Sequence, residues 1–310
     1  MPVKVVTDST ADLPPQVAEE LAITVVPEYL RFGHESYRDV VDISHDEFYR
    51  RLESTKIHPT TSQPTPDDFA AVYRQLSQQT REIVSIHVSA RLSGTCNSAL
   101  QGKNIAATGC DISIVDSKAL SMGLGLPVLL AARMAKAGVG LQKIVDEVQL
   151  AIENTRLYGT LDTLKYLLKG GRIGKTKALL GSVLNVKPVL TIRDGELVPI
   201  GNVRSRARGI DKLFELAGTV PGVQELAVVY TTTPDEALGL KNRLHAAYEN
   251  VQIHLSRLGP ALGVHGGPGT LIVVARGSSG SASTVTNLES KIPKIHVPAI
   301  HLPKFKLPHR

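Results

Sequence analysis

Three times in the first 140 residues a run rich in β-branched residues ends in a loop of hydroxyl and carboxylate side chains, and each loop passes into a helix-forming stretch. Val3 to Asp8 leads into Ser9, Thr10 and Asp12 and then a helix opened by Pro14. Glu82 to Val88 leads through Ser89–Thr95 into a helix over Cys96–Ala107. Asp111 to Val115 ends at Asp116 and Ser117, ahead of an Ala, Leu and Met-rich helix running to about Ala137. Strands alternating with helices fold as a parallel sheet, and the ligands of such sheets sit beyond the carboxyl ends of the strands. All three polar loops fall on that edge.

A chain of 310 residues, 42% of them hydrophobic, exceeds what a single core comfortably serves, so two lobes with a cleft between them are expected. The texture changes after a helix over Leu141–Asn154, and the expected organisation is α/β throughout. It comprises a Rossmann-like parallel-sheet lobe over residues 1–156, a second α/β lobe with a mixed or antiparallel sheet over 157–276, and a ligand between them. Leu161–Lys169 reads as helical. Strands are expected over Val186–Ile192, Glu196–Arg204, Glu225–Thr231, Val251–Leu258 and Thr270–Ala275, with Asp194-Gly195 as a hairpin turn. Between the first two units, three prolines in Pro59–Phe69 pin an extended polar loop, and Thr65 or Pro66 opens a helix with an acidic first turn. Residues 277–310 read as a Gly/Ser linker and a tail with Pro293, Pro298, Pro303 and Pro308 five apart, a spacing that denies it a helix or a central strand.

Several function classes are disfavoured by composition. A net charge of +6 suggests a polyanionic partner, but residues 291–310 alone carry +5, leaving +1 for residues 1–290, so nucleic-acid binding by the two lobes is not expected. Aromatics at 4% and the absence of Trp argue against stacking platforms for bases. Two cysteines and no signal-peptide pattern favour a cytoplasmic setting, and no run is long enough for stable membrane insertion. The basic, aliphatic and proline pattern of the tail suits transient contact with anionic lipid, or an unstructured extension, and Gly-Ser-Ser-Gly-Ser also resembles a cloning linker. Gly170–Thr176 ends in Gly-Lys-Thr but has only three residues between its glycines and follows a helix, so it is not a P-loop; Gly123-Leu124-Gly125 lacks a third glycine. No metal site is implied, because outside the tail the histidines show no ligand spacing and the cysteines lie fourteen apart.

Ser93, in Leu92-Ser93-Gly94-Thr95 at a helix start, reads either as a plain N-terminal cap or as a donor to an anion, since a free helix N-terminus suits both. His265 stands in Gly263–Gly269, a backbone so glycine-rich that it turns tightly or lets a ligand approach. With Val5–Leu13, Thr61-Ser62-Gln63-Pro64-Thr65-Pro66, Asp162-Thr163-Leu164, Lys169–Ile173 and Lys187–Leu190, these motifs occur in the order seen in the DegV family, which the chain resembles over about residues 3–276. DegV proteins are bacterial two-domain fatty-acid-binding proteins, some of which present the bound acid to a separate ATP-dependent fatty acid kinase. The resemblance implies that Thr61, Ser62, Ser93 and His265 hold the carboxylate of a long-chain fatty acid, that no cofactor is needed, and that Arg172 and Arg204 engage the kinase. The chain departs from the pattern at Ala90 and Arg91 before Leu-Ser-Gly-Thr, at Cys96 after it, and at Gly266, where Thr is usual; this bears on the lining and on chain-length preference. The expectation is therefore a non-catalytic carrier. The alternative is an acyl hydrolase or transferase with Ser93 as nucleophile and His265 as base, for which the sequence offers neither an orienting acid nor a Gly-x-Ser-x-Gly elbow.

Overall fold

The computed structural model describes residues 2–179 and 186–278, so the expected linker and tail lie outside the described residues from 279 on. The chain runs β1 (Lys4–Asp8), α1 (Pro15–Glu20), β2 (Ile23–Val26), β3 (Tyr29–Phe32), β4 (Glu35–Arg38), α2 (His45–Ser54), β5 (Thr60–Ser62), α3 (Pro66–Ser77), β6 (Glu82–His87), α4 (Thr95–Ala106), β7 (Asp111–Asp116), α5 (Met122–Lys136) and α6 (Leu141–Asn154). It continues through β8 (Thr155–Thr160), α7 (Lys165–Lys169), β9 (Lys187–Arg193), β10 (Glu196–Val203), α8 (Arg206–Ala217), β11 (Glu225–Tyr230), α9 (Pro234–Ala247), β12 (Gln252–Arg257), α10 (Pro260–Gly266) and β13 (Leu271–Arg276).

Strands β2, β1, β6 and β7 form a parallel sheet in that order. It is covered on both faces, which is why β6 is buried over five of its six residues, Ser85 and His87 included. The second sheet, ordered β10-β9-β8-β13-β11-β12, is antiparallel except for the β11–β12 pair and is therefore mixed. Asp194 and Gly195, at φ 50° and 79°, make the β9–β10 turn with both residues left-handed, the conformation that matches the twist of a hairpin. The two sheets share a core. Thirteen of the fifteen residues of α5 are buried, and the helix packs against β1 and β6 on one side and β8, β11 and β13 on the other. A helix apolar all round has no face to give to water.

Two expectations change. The segment 161–169 is helical only over α7: Leu161 follows directly from β8, and Asp162, paired with Lys187 and Arg206, lies between that strand and the helix. The loop over Pro59–Phe69 is not loop throughout, because Thr60–Ser62 forms β5 and completes a small antiparallel sheet, β4-β3-β5, with Tyr29 opposite Ser62 and Leu30 opposite Thr61. Thr65 then caps α3 in a reciprocal capping box with Asp68, and Pro66 takes the first helical position.

Candidate functional site

Between the two sheets lies a cavity enclosing about 940 Å³ of space between atoms, part of it open to solvent. The apolar lining is mostly leucines, among them Leu120, Leu157, Leu161, Leu167, Leu190 and Leu262, joined by Ile272 and Val88. The polar lining comprises Thr10, Glu28, Thr61, Ser62, Gln63, Ser93, Arg172, His265 and Thr270. The four residues expected to hold a carboxylate, Thr61, Ser62, Ser93 and His265, therefore line one cavity, although they come from β5, the loop before α4 and the last turn of α10.

Each is set by its local structure. Pairing with β3 fixes Thr61 and Ser62 on a short strand. Thr61 Oγ1 lies 3.1 Å from His265 Nε2. The other ring nitrogen, Nδ1, is buried without a hydrogen-bond partner, and the ring fits because residue 170 is glycine: a Cβ there would collide with it. Burial, followed by the positive charges of Arg172 and His58, holds the His265 pKa down at about 4, so the ring is neutral near pH 7. Ser93 does not cap its helix. Gly94 is the N-cap of α4 and makes no side-chain capping bond, while Ser93 Oγ is 2.8 Å from Thr95 Oγ1, which donates to Glu28 Oε1 at 2.6 Å.

Ser93 and His265 are thus each engaged elsewhere, Ser93 by Thr95 and the His265 Nε2 by Thr61, and the nucleophile–base pair of the hydrolase alternative is not formed. Among the described residues no cluster of three or more His, Cys, Asp or Glu is placed to hold a metal ion. The Cys96 thiol is pushed up to about 12 by burial and is not an activated nucleophile.

Arg172 was expected only at a docking surface; it is exposed, yet its side chain also lines the cavity, reaching back to the Gly170 carbonyl at 3.1 Å. Arg204 is exposed just beyond β10 and does not line the cavity. Its neighbour Arg206 is committed to Glu236 at 2.7 Å and to Asp162. The departures find physical reasons. Arg91 pairs with Glu196 across the sheets, Cys96 Sγ donates to the Val88 carbonyl, and a Cβ on Gly266 would lie 2.9 Å from Thr270 Oγ1, so Thr270 occupies the room that Gly266 leaves.

Sequence reasoning missed Glu28, Thr10 and Gln63. Gln63 belongs to the Thr-Ser-Gln-Pro motif and packs under Gly94, so that motif was a signal for it. Thr10 is held by Asp8, whose other oxygen receives the Val88 N–H and faces His87 Nδ1, each at 3.0 Å. Glu28 is 4% exposed, and burial, then the nearby charge of Asp8, raises its pKa well above the usual carboxylate range. Nothing beside it in sequence marks it.

The DegV family model, whose description is of uncharacterised proteins, matches residues 2–277. The chain belongs to the DegV family. A DegV domain-containing protein of Streptomyces coelicolor is 36% identical over 276 residues, covering 88% of this chain and 97% of that protein. Among solved structures, a DegV family protein from Thermus thermophilus described by its fatty acid binding superposes with a TM-score of 0.84 at 31% identity, over 90% of this chain and 100% of that one. A stearic acid-binding protein from Eubacterium ventriosum superposes at 0.82 and 27%, over 88% and 98%. The two-domain α/β architecture of these DegV structures is that of the present chain. No helix among the described residues is long and apolar enough to cross a membrane.

Proposed function

We propose that this DegV protein is a carrier for a long-chain fatty acid, with the acyl chain along the leucine lining and the carboxylate at Thr61, Ser62, Ser93 and His265. The observation that carries the reading is the cavity itself, lined largely by leucines and supplied with hydroxyls and one neutral imidazole from three separate elements. Each methylene moved from water to the leucine lining contributes about 0.8 kcal/mol, so a long tail secures affinity without help from the head group. The head group must then be satisfied, because a buried carboxylate without donors is costly. The uncapped N-terminus of α4 beside Ser93 adds free backbone N–H groups and the positive end of a helix dipole. Supporting the reading, relatives of the same fold are described as fatty acid binding, one of them as binding stearic acid.

The carrier hands its acid to a separate ATP-dependent fatty acid kinase, which supplies the nucleotide and the phosphoryl-transfer machinery. Arg172, exposed and yet at the cavity, suits the face that such a partner would meet, and Arg204 extends that face as a docking residue. Native purification from bacteria followed by lipid extraction and mass spectrometry should yield one long-chain acid per protein chain. A protein that emerges empty and takes up no long-chain acid after delipidation overturns the assignment. With a DegV-dependent kinase and MgATP, Arg204→Ala should lower acyl phosphate formation about tenfold or more while leaving acid binding unchanged, as expected for a lost docking contact.

A further inference from the structure

We propose that Glu28 is a specificity-determining residue of the head-group site, and that the hydrogen-bond chain Glu28–Thr95–Ser93 makes binding of an anionic head group conditional on the uptake of one proton by Glu28. The proposal rests on the fatty-acid reading of the cavity and adds a proton to it.

The geometry is a chain of three side chains ending in the cavity wall: Glu28 Oε1 to Thr95 Oγ1 at 2.6 Å, and Thr95 Oγ1 to Ser93 Oγ at 2.8 Å. Thr95 is fully buried and has a single hydroxyl proton, so the chain has a direction. An ionised Glu28 only accepts. Thr95 must then donate to it, Ser93 donates to Thr95, and Ser93 offers the cavity nothing but lone pairs, which repel a carboxylate. A protonated Glu28 donates to Thr95, Thr95 donates to Ser93, and the Ser93 proton is released to the ligand. One proton taken from bulk water thus reverses both hydrogen bonds of the chain, and frees the Ser93 proton for the ligand, without moving a heavy atom.

Electrostatics act in the same sense, because Glu28 lines the cavity that the ligand carboxylate would enter, and two ionised carboxylates there repel each other. The groups facing Glu28 are mostly acidic. Asp8 at the end of β1 and Asp39 after β4 disfavour its charge, and the Ser9 hydroxyl ties Asp39 to the Glu28 backbone N–H. Behind them, Asp12 adds to the repulsion at Asp39's side of the cluster, and His87 faces Asp8. Arg172 favours the ionised form but comes after burial, Asp8, Thr95 and Asp39 in its effect, and His265 faces the same cavity as a neutral ring.

The test is calorimetric binding of oleate, held below its aggregation concentration, to delipidated wild type and Glu28→Gln between about pH 6 and pH 9, in two buffers of different ionisation heat. For the wild type, uptake should rise towards about one proton per oleate on the alkaline side, with affinity falling about tenfold per pH unit there. Glu28→Gln keeps the shape, and its amide N–H donates to Thr95 permanently; it should bind across the range with a flat profile and no uptake. A merely structural role would shift its affinity equally at every pH and leave the slope. Wild type that binds without proton uptake overturns the proposal even if the variant does not fold. So does uptake persisting in Glu28→Gln, which would belong to His265. Failure of oleate to bind either protein at any pH marks the fatty-acid reading itself as wrong, and this inference falls with it.

Discussion

His265 is positioned by the absence of a side chain elsewhere. Because a Cβ on residue 170 would collide with Nδ1, Gly170→Ala should displace the ring and break its 3.1 Å contact with Thr61. Loss of one head-group contact of this kind is worth about 1 kcal/mol, so fatty acid affinity should fall by about five- to tenfold with little change in thermal midpoint, read by titration and by scanning calorimetry on the same sample. An unchanged affinity would show that the imidazole takes no part. That Thr61, Ser62, Ser93 and His265 share one cavity was legible through the DegV resemblance of the short motifs in which they sit. Glu28 and Thr95 were not legible. Glu28 follows Pro27 with no pattern around it, and its character comes from Asp8, Asp39 and Thr95, which lie 11 to 67 residues away and meet it only in the fold.

At the scale of elements, the βα units were read correctly because buried parallel strands and their helices carry strong periodicity, and the Asp-Gly hairpin because its turn chemistry is local. The weak elements escaped. Strands β3, β4 and β5 are three or four residues long, too short for alternation to register, and β8 is Thr-Arg-Leu-Tyr-Gly-Thr, whose place at the centre of a sheet is decided by β9 and β13 on either side. Helices α3 and α4 meet at another tight spot, where a Cβ on Gly102 would lie 2.7 Å from the Pro66 carbonyl oxygen and nearer still to Phe69 Cβ. Gly102→Ala must push α4 away from α3, at a cost of about 1–3 kcal/mol in urea unfolding. Since α4 begins at Thr95, two residues after Ser93, oleate binding should weaken with it, and a variant of unaltered stability would mean that the two helices are less tightly docked than their contact implies.

For the whole molecule, buried histidines and carboxylates set opposing responses to acid. His45 and His265 are held at about 4, chiefly by burial, against an ordinary value of 6.5; the unfolded chain takes up those protons first, so their contribution to stability is lost as pH falls from 6.5 towards 4. Asp39 is pushed to about 6 by burial against an ordinary 3.8, so the native state protonates first and stability is regained as pH falls from 6 towards 3.8. Relative to wild type, His265→Asn should therefore gain stability between about pH 7 and pH 4.5, and Asp39→Asn should lose ground over the same range, both measured by urea titration. Parallel curves for wild type and variants would contradict the burial that produces these shifts. The two sheets, finally, are not free to swing: α5 is buried between them and is part of a core that contains Val84 and Ile86 from one sheet and Val229 and Val274 from the other. A cargo cannot leave by a hinge that has no gap to open. A ligand held as proposed would instead pass through the rim where β5, the loop before α4 and the turn after α7 surround the polar end, and a partner collecting it would have to act on that rim while the frame behind it stays shut.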